Sequence, residues 1–73
     1  MDATSITIEM PIALDAAIVL RDQFGRTIQT IQQPLTKGMN KVDINRNQLS
    51  AGIYYYTVKA GDFTATKRML IIE

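Results

Sequence analysis

The sequence predicts an all-β fold, a small antiparallel sandwich of six to seven strands. Three features point to it. Several short runs alternate apolar and polar residues, as a strand with one buried face requires. Turn-forming residues separate those runs at short, regular intervals, with no helix-length segment between them. Ile53 to Lys59 concentrates aromatic and β-branched side chains, which suit a pleated surface.

The first run, Ser5 to Met10, puts Ile6, Ile8 and Met10 on one face and Ser5, Thr7 and Glu9 on the other, and Pro11 ends it by removing a backbone donor. Ala16 to Arg21 places Ile18 and Leu20 together. A helix over Ile12 to Phe24 competes for this stretch. The turn that follows favours the strand: in Asp22-Gln23-Phe24-Gly25 the Asp accepts from the backbone two residues on, and Gly tolerates the positive φ after a type I turn. Ile28 and Ile31 break the period of two, which predicts a bulge or frayed end there. Gln32-Gln33-Pro34 is expected to close that strand, and Leu35 to Gly38 to form a loop. Asn40, Val42 and Ile44 then alternate with Met39, Lys41 and Asp43. Asn45 to Ala51 reads as a polar connector in which Leu49 plugs the core. In the Ile53 to Lys59 run, Tyr54, Tyr56 and Val58 share one face against Tyr55, Thr57 and Lys59. Gly61-Asp62 is a tight hairpin turn, and Phe63 to Ile72 the last strand.

At 73 residues the chain is expected to be a single domain, residues 1–73, burying about 60% of its unfolded surface, with a stability on the order of 4–11 kcal/mol. Met1 is expected to be an added start, with a parent protein and its linker upstream. The opening Met1-Asp2-Ala3-Thr4 lacks the basic stretch of a signal peptide. Eight basic and 7 acidic residues give a net charge of +1, too balanced for a nucleic-acid or anionic-membrane partner. No apolar run approaches the roughly 20 residues that span a bilayer, so membrane insertion is not expected.

The chemistry available is narrow. There is no histidine and no cysteine, which removes the commonest general base, the commonest metal ligand and any thiolate site. No enzyme activity, cofactor or metal is expected. Asp43, Asn45 and Asn47 open like a calcium loop, but Gln48 stands where the sharp-turn Gly belongs and Tyr54 where the bidentate Glu belongs, so a polar inter-strand loop is preferred. The acids lie mostly in turns or at strand ends, and nothing pairs them for glycoside hydrolysis. Alternation splits Tyr54-Tyr55-Tyr56, so Tyr54 and Tyr56 are expected in the core and Tyr55 outside, rather than all three on a sugar platform. Lys59, Lys67 and Arg68 are basic, and neighbours Lys67 and Arg68 should point to opposite faces. In Met69-Leu70-Ile71-Ile72 alternation ends and both faces are apolar, so either other segments cover the outer side or the strand is offered to a partner.

Four pieces in order carry a family resemblance: Val19-Leu20-Arg21-Asp22-Gln23-Phe24-Gly25-Arg26, then Leu49-Ser50-Ala51-Gly52-Ile53-Tyr54-Tyr55-Tyr56, then Gly61, then Lys67 to Ile72. Together they resemble the type A C-terminal sorting domain of the type IX (Por) secretion system of Bacteroidota. Members often open with an Asn-Pro stretch, which Met1 to Ser5 lack. The resemblance implies an Ig-like sandwich that catalyses nothing and serves as the address label of a larger cargo protein. The parent would reach the periplasm by its own signal and be recognised by the outer-membrane machinery. A sortase-like protease would then remove the label, leaving the parent at the cell surface or in the medium. It also implies that Asp22, Gly25 and Arg26 shape one hairpin. Leu49, Gly52 and Tyr54 set a corner, with Gly61 at the second turn. Lys67, Arg68, Met69, Leu70, Ile71, Ile72 and Glu73 form the sorting signal. Two readings compete: an Ig-like accessory module binding carbohydrate or protein, and a spacer forming a weak homodimer through its terminal strand.

Overall fold

The computed structural model describes residues 3–45 and 49–72. Those residues form six strands and no helix: β1 (Ala3–Met10), β2 (Leu14–Asp22), β3 (Thr27–Leu35), β4 (Gly38–Asn45), β5 (Gly52–Ala60) and β6 (Phe63–Ile71). A two-stranded sheet, β1-β4, packs on a four-stranded sheet ordered β3-β2-β5-β6, and every pairing is antiparallel. The sandwich class read from alternation is therefore the fold, and β2 is a strand over the stretch where a helix competed.

The core is where the two inner faces meet. Ile6, Ile8 and Met10 of β1 and Val42 and Ile44 of β4 face Ile18 and Leu20 of β2 and Tyr54, Tyr56 and Val58 of β5. Leu49 enters this cluster from the connector between β4 and β5, as its isolated apolar position suggested. Alternation puts these side chains inside because successive residues of a strand point to opposite faces.

Two turns obey their sequence chemistry. After β2, the Gly25 N–H donates to the Asp22 carbonyl at 3.1 Å and the Asp22 N–H donates to the Arg26 carbonyl at 3.0 Å. Gly25 has φ +87°, the left-handed conformation that closes such a loop without a Cβ penalty. Between β5 and β6, Ala60 pairs with Phe63, so the loop is Gly61-Asp62 alone. Positive φ occurs at Gly61, +59°, and not at Asp62, the pattern of a type II′ turn with Gly in its first central position. The break in period near Ile28 is a register shift: Leu20 pairs with Gln29 but Arg21 with Thr27, so Ile28 is the extra residue of a bulge.

One boundary differs from expectation. Gln32-Gln33-Pro34 does not close β3, and Leu35 is not in a loop. The strand runs on through Pro34 to Leu35, which pairs with Leu14 and is fully buried. Proline lacks a ladder donor, but β3 is the edge of its sheet, where a missing donor costs no bond. The loop shrinks to Thr36-Lys37 and is held by Asn40. The Asn40 Oδ1 accepts from the Thr36 N–H at 2.9 Å and the Thr36 hydroxyl at 3.2 Å. Its Nδ2 donates to the carbonyls of Thr36, Gly38 and Ile8 at 2.8, 3.1 and 3.3 Å.

This short link makes the two sides of the sandwich unequal. On one side β3 passes directly into β4, and Asn40 ties that short link to β1 and β4. On the other side lie β1 and β6, the first and last strands, which no hydrogen-bonded ladder joins. A groove of about 260 Å³ separates them, with Thr7, Ile8 and Glu9 on one wall and Tyr56, Val58, Phe63, Ala65 and Lys67 on the other.

Candidate functional site: the terminal strand and the end of the sandwich around it

Registers gather residues that are far apart in the chain. Asp22 pairs with Tyr54, and Tyr54 pairs with Met69, so β2, β5 and β6 contribute one inner-face row at the end of the sheet. One step further out, Gly52 pairs with Ile71. Asp22, Gly25, Arg26, Leu49, Gly52, Tyr54 and the Met69–Ile72 run therefore occupy the same end of the sandwich. Gly61 stands at the opposite end, where its Cα lies beside Leu14.

Asp22 holds that end together. Its Oδ1 accepts from the N–H groups of Phe24 and Arg26 at 2.9 and 3.0 Å, and its Oδ2 receives the Arg26 Nε at 2.8 Å. Burial alone would push the carboxyl pKa up. The Arg26 N–H, the Arg26 side chain and the Phe24 N–H outweigh it and hold the pKa below the ordinary value of 3.8. Asp22 thus satisfies the turn's orphan donors as its position before Gly25 predicted.

Tyr54 makes the corner. Its ring is buried in the core and its hydroxyl donates to the Ser50 carbonyl at 2.8 Å, so the connector carrying Leu49 is tied to the start of β5. The geometry matches the tyrosine corner of Ig-like sandwiches, in which a Tyr at a strand start bonds back to backbone a few residues upstream. Tyr56 is in the core, as alternation required, and Tyr55 is on the outer face. Beside Tyr55 across the sheet stand Arg21 and Arg68, so no second aromatic shares its row as a sugar platform would need.

The terminal run divides by face. Ile71 is 4% exposed and Met69 packs against the core, whereas Leu70 is 64% and Ile72 70% exposed. Both faces are apolar because only the inner one is covered. Leu70 pairs with Ile53, itself exposed, so the apolar outer surface runs across two strands. Lys67 pairs with Tyr56 on the inner side and Arg68 with Tyr55 on the outer side, and both cations are exposed; opposite faces were the expectation. Glu73 and Asn47 lie outside the described residues. Asp43 is exposed on β4, and among the described residues no three acidic, His or Cys side chains converge on a metal position.

What the sequence does not reveal is the gathering itself, since strand pairing is a tertiary property, and the part played by Asn40, whose place in an alternating run looks like ordinary surface polarity.

No curated protein matches this chain, and no solved structure matches it. A family model does, over residues 2–73: the secretion system C-terminal sorting domain. Domains of that family are non-catalytic signals of type IX secretion, and they form the C-terminal part of a larger cargo destined for the cell surface or the extracellular space. A match spanning nearly the whole chain, on a six-stranded antiparallel sandwich, places this protein in the family of type IX secretion C-terminal sorting domains.

Proposed function

We propose that the domain is read as a folded address label at its last strand, with Lys67 to Glu73 as the sorting signal and the free edge of β6 as the surface that the outer-membrane machinery pairs with. Recognition proceeds by strand addition: main-chain hydrogen bonds supply affinity, and alternate side chains supply choice. Asp22, Gly25, Arg26, Leu49, Gly52 and Tyr54 hold the end of the sandwich on which that strand terminates, and Gly61 sets the hairpin that delivers it. The domain is read during periplasmic transit, and a sortase-like protease then removes it from its cargo. The observation that carries this reading is that β6 is an edge strand, with Leu70 on its outer face and Ile72 just past its end both standing in solvent.

The test is secretion of a fluorescent reporter bearing a periplasmic signal and this domain at its C-terminus, in a type IX-competent bacterium. One variant lacks Lys67 to Glu73. Because that truncation also removes buried Ile71, a second variant carries Leu70→Glu with Ile72→Glu, which changes only the exposed side. Export of the intact fusion and periplasmic retention of both variants is the expected result. Export of both variants at the parental level would sink the proposal.

A further inference from the structure

We infer that the free edge of β6 selects a partner strand carrying two adjacent acidic residues and rejects a second copy of its own chain. This rests on the sorting reading and names the chemistry of the partner at that edge.

Lys67 and Arg68 sit mid-strand on a ladder that is hydrogen-bonded on one side only. Their cross-strand partners fix their directions: Lys67 lies opposite Tyr56, an inner-face residue, and Arg68 opposite Tyr55, an outer-face residue. A strand added to β6 therefore meets one cation on each of its two faces. Among the described residues neither cation has an ion-pair partner, although Glu9 lines the far wall of the groove beside Lys67. Both charges remain for an incomer.

Directly opposed side chains on paired strands lie roughly 5 Å apart, close enough for like charges to repel and opposite charges to attract. An antiparallel pairing of two β6 free edges keeps both inner faces on one side of the joined sheet, so a register centred here sets Lys67 against Lys67 of the second copy, or Arg68 against Arg68, cation against cation. Charged edges guard against such self-pairing. The guard is selective, because a complementary strand cancels it. Successive residues on a strand point to opposite faces, so meeting both cations takes two consecutive acids. Towards the chain end the same strand faces Met69 inside and Leu70 outside, which favours apolar residues there. Towards the turn it faces Ala65 and Thr66, which ask for small or neutral ones.

Two measurements test this. The first titrates the 73-residue chain with the synthetic peptide Val-Thr-Val-Asp-Glu-Val-Thr-Val and with its Lys-Lys counterpart, following backbone amides by NMR. Shifts along β6 with the acidic peptide, at an affinity roughly tenfold or more above the lysine peptide, are expected when two attractive cross-strand pairs replace two repulsive ones. No shift with either peptide, or equal affinity for both, overturns the inference, as does concentration-dependent dimerisation of the chain through β6. The second uses the reporter fusion, comparing Lys67→Glu with Arg68→Glu against the charge-keeping Lys67→Arg with Arg68→Lys. Retention of the first pair and export of the second is expected. If the charge-reversed pair is exported while the Leu70→Glu, Ile72→Glu variant is retained, the acidic-partner inference fails and the sorting reading stands. If every variant is exported, both fail.

Discussion

Tyr54→Phe isolates one hydrogen bond. The substitution keeps the ring in the core and deletes only the hydroxyl that reaches the Ser50 carbonyl at 2.8 Å. Ser50 is exposed, so water can take over its carbonyl and no stranded-acceptor penalty adds to the loss. The cost is then that of an ordinary net hydrogen bond, about 1 kcal/mol. For a chain of this length that corresponds to a fall in Tm of about 4–8 °C. Tyr56→Phe is the matched control. Tyr54 and Tyr56 share the inner face of β5 and are 7% and 8% exposed, but among the described residues the Tyr56 hydroxyl has no protein partner. Its removal should cost less than about 0.5 kcal/mol. Thermal unfolding followed by circular dichroism, with urea midpoints as a second measure, separates the two. Equal losses in both variants, or none in Tyr54→Phe, would refute the assignment of the corner to this hydroxyl.

Other consequences are testable with the same assays. Leu35→Ala should cost about 2–5 kcal/mol, because Leu35 is a fully buried member of the core; a change under 0.5 kcal/mol would return it to the loop that Pro34 suggested. Asn40→Ala removes the bonds bracing Thr36-Lys37 and should cost about 1–2 kcal/mol, with amides of Thr36 to Asn40 losing hydrogen-exchange protection ahead of the rest. The Asp22 pKa lies below its ordinary value of 3.8, so the turn's contribution is complete at pH well above that value and is lost as pH falls through the depressed folded pKa. Urea midpoints across pH 2–6 should therefore decline at the acid end in the parent and decline less in Asp22→Asn; parallel curves would contradict this.

How much of this was legible depended on the range of the interaction. β1, β4 and β5 follow from alternation because each has one buried face, and the Asp22 and Gly61 turns follow from local chemistry. The end of β3 did not, since proline's missing donor matters only in a central strand, and edge or centre is decided by strand order. The terminal run showed its apolar character but not its division, because which of Met69, Leu70, Ile71 and Ile72 is covered depends on a second sheet only two strands wide. The clustering of Asp22, Tyr54 and Met69 rests on registers between strands distant in sequence, and Asn40 gave no signal because its bonds to Thr36, Gly38 and Ile8 depend on a tight loop and on pairing with β1.

β1 begins at the same end of the sandwich at which β6 finishes, and each is a terminal strand with one free edge. Tension applied between Ala3 and Ile72 acts transversely to the strands, so it breaks ladder bonds one rung at a time from that end instead of loading a whole ladder in shear. A domain strung between a cargo and an anchored terminal strand would thus yield by peeling, at low force, and the end that yields first is the one that Asp22, Arg26 and Tyr54 fasten.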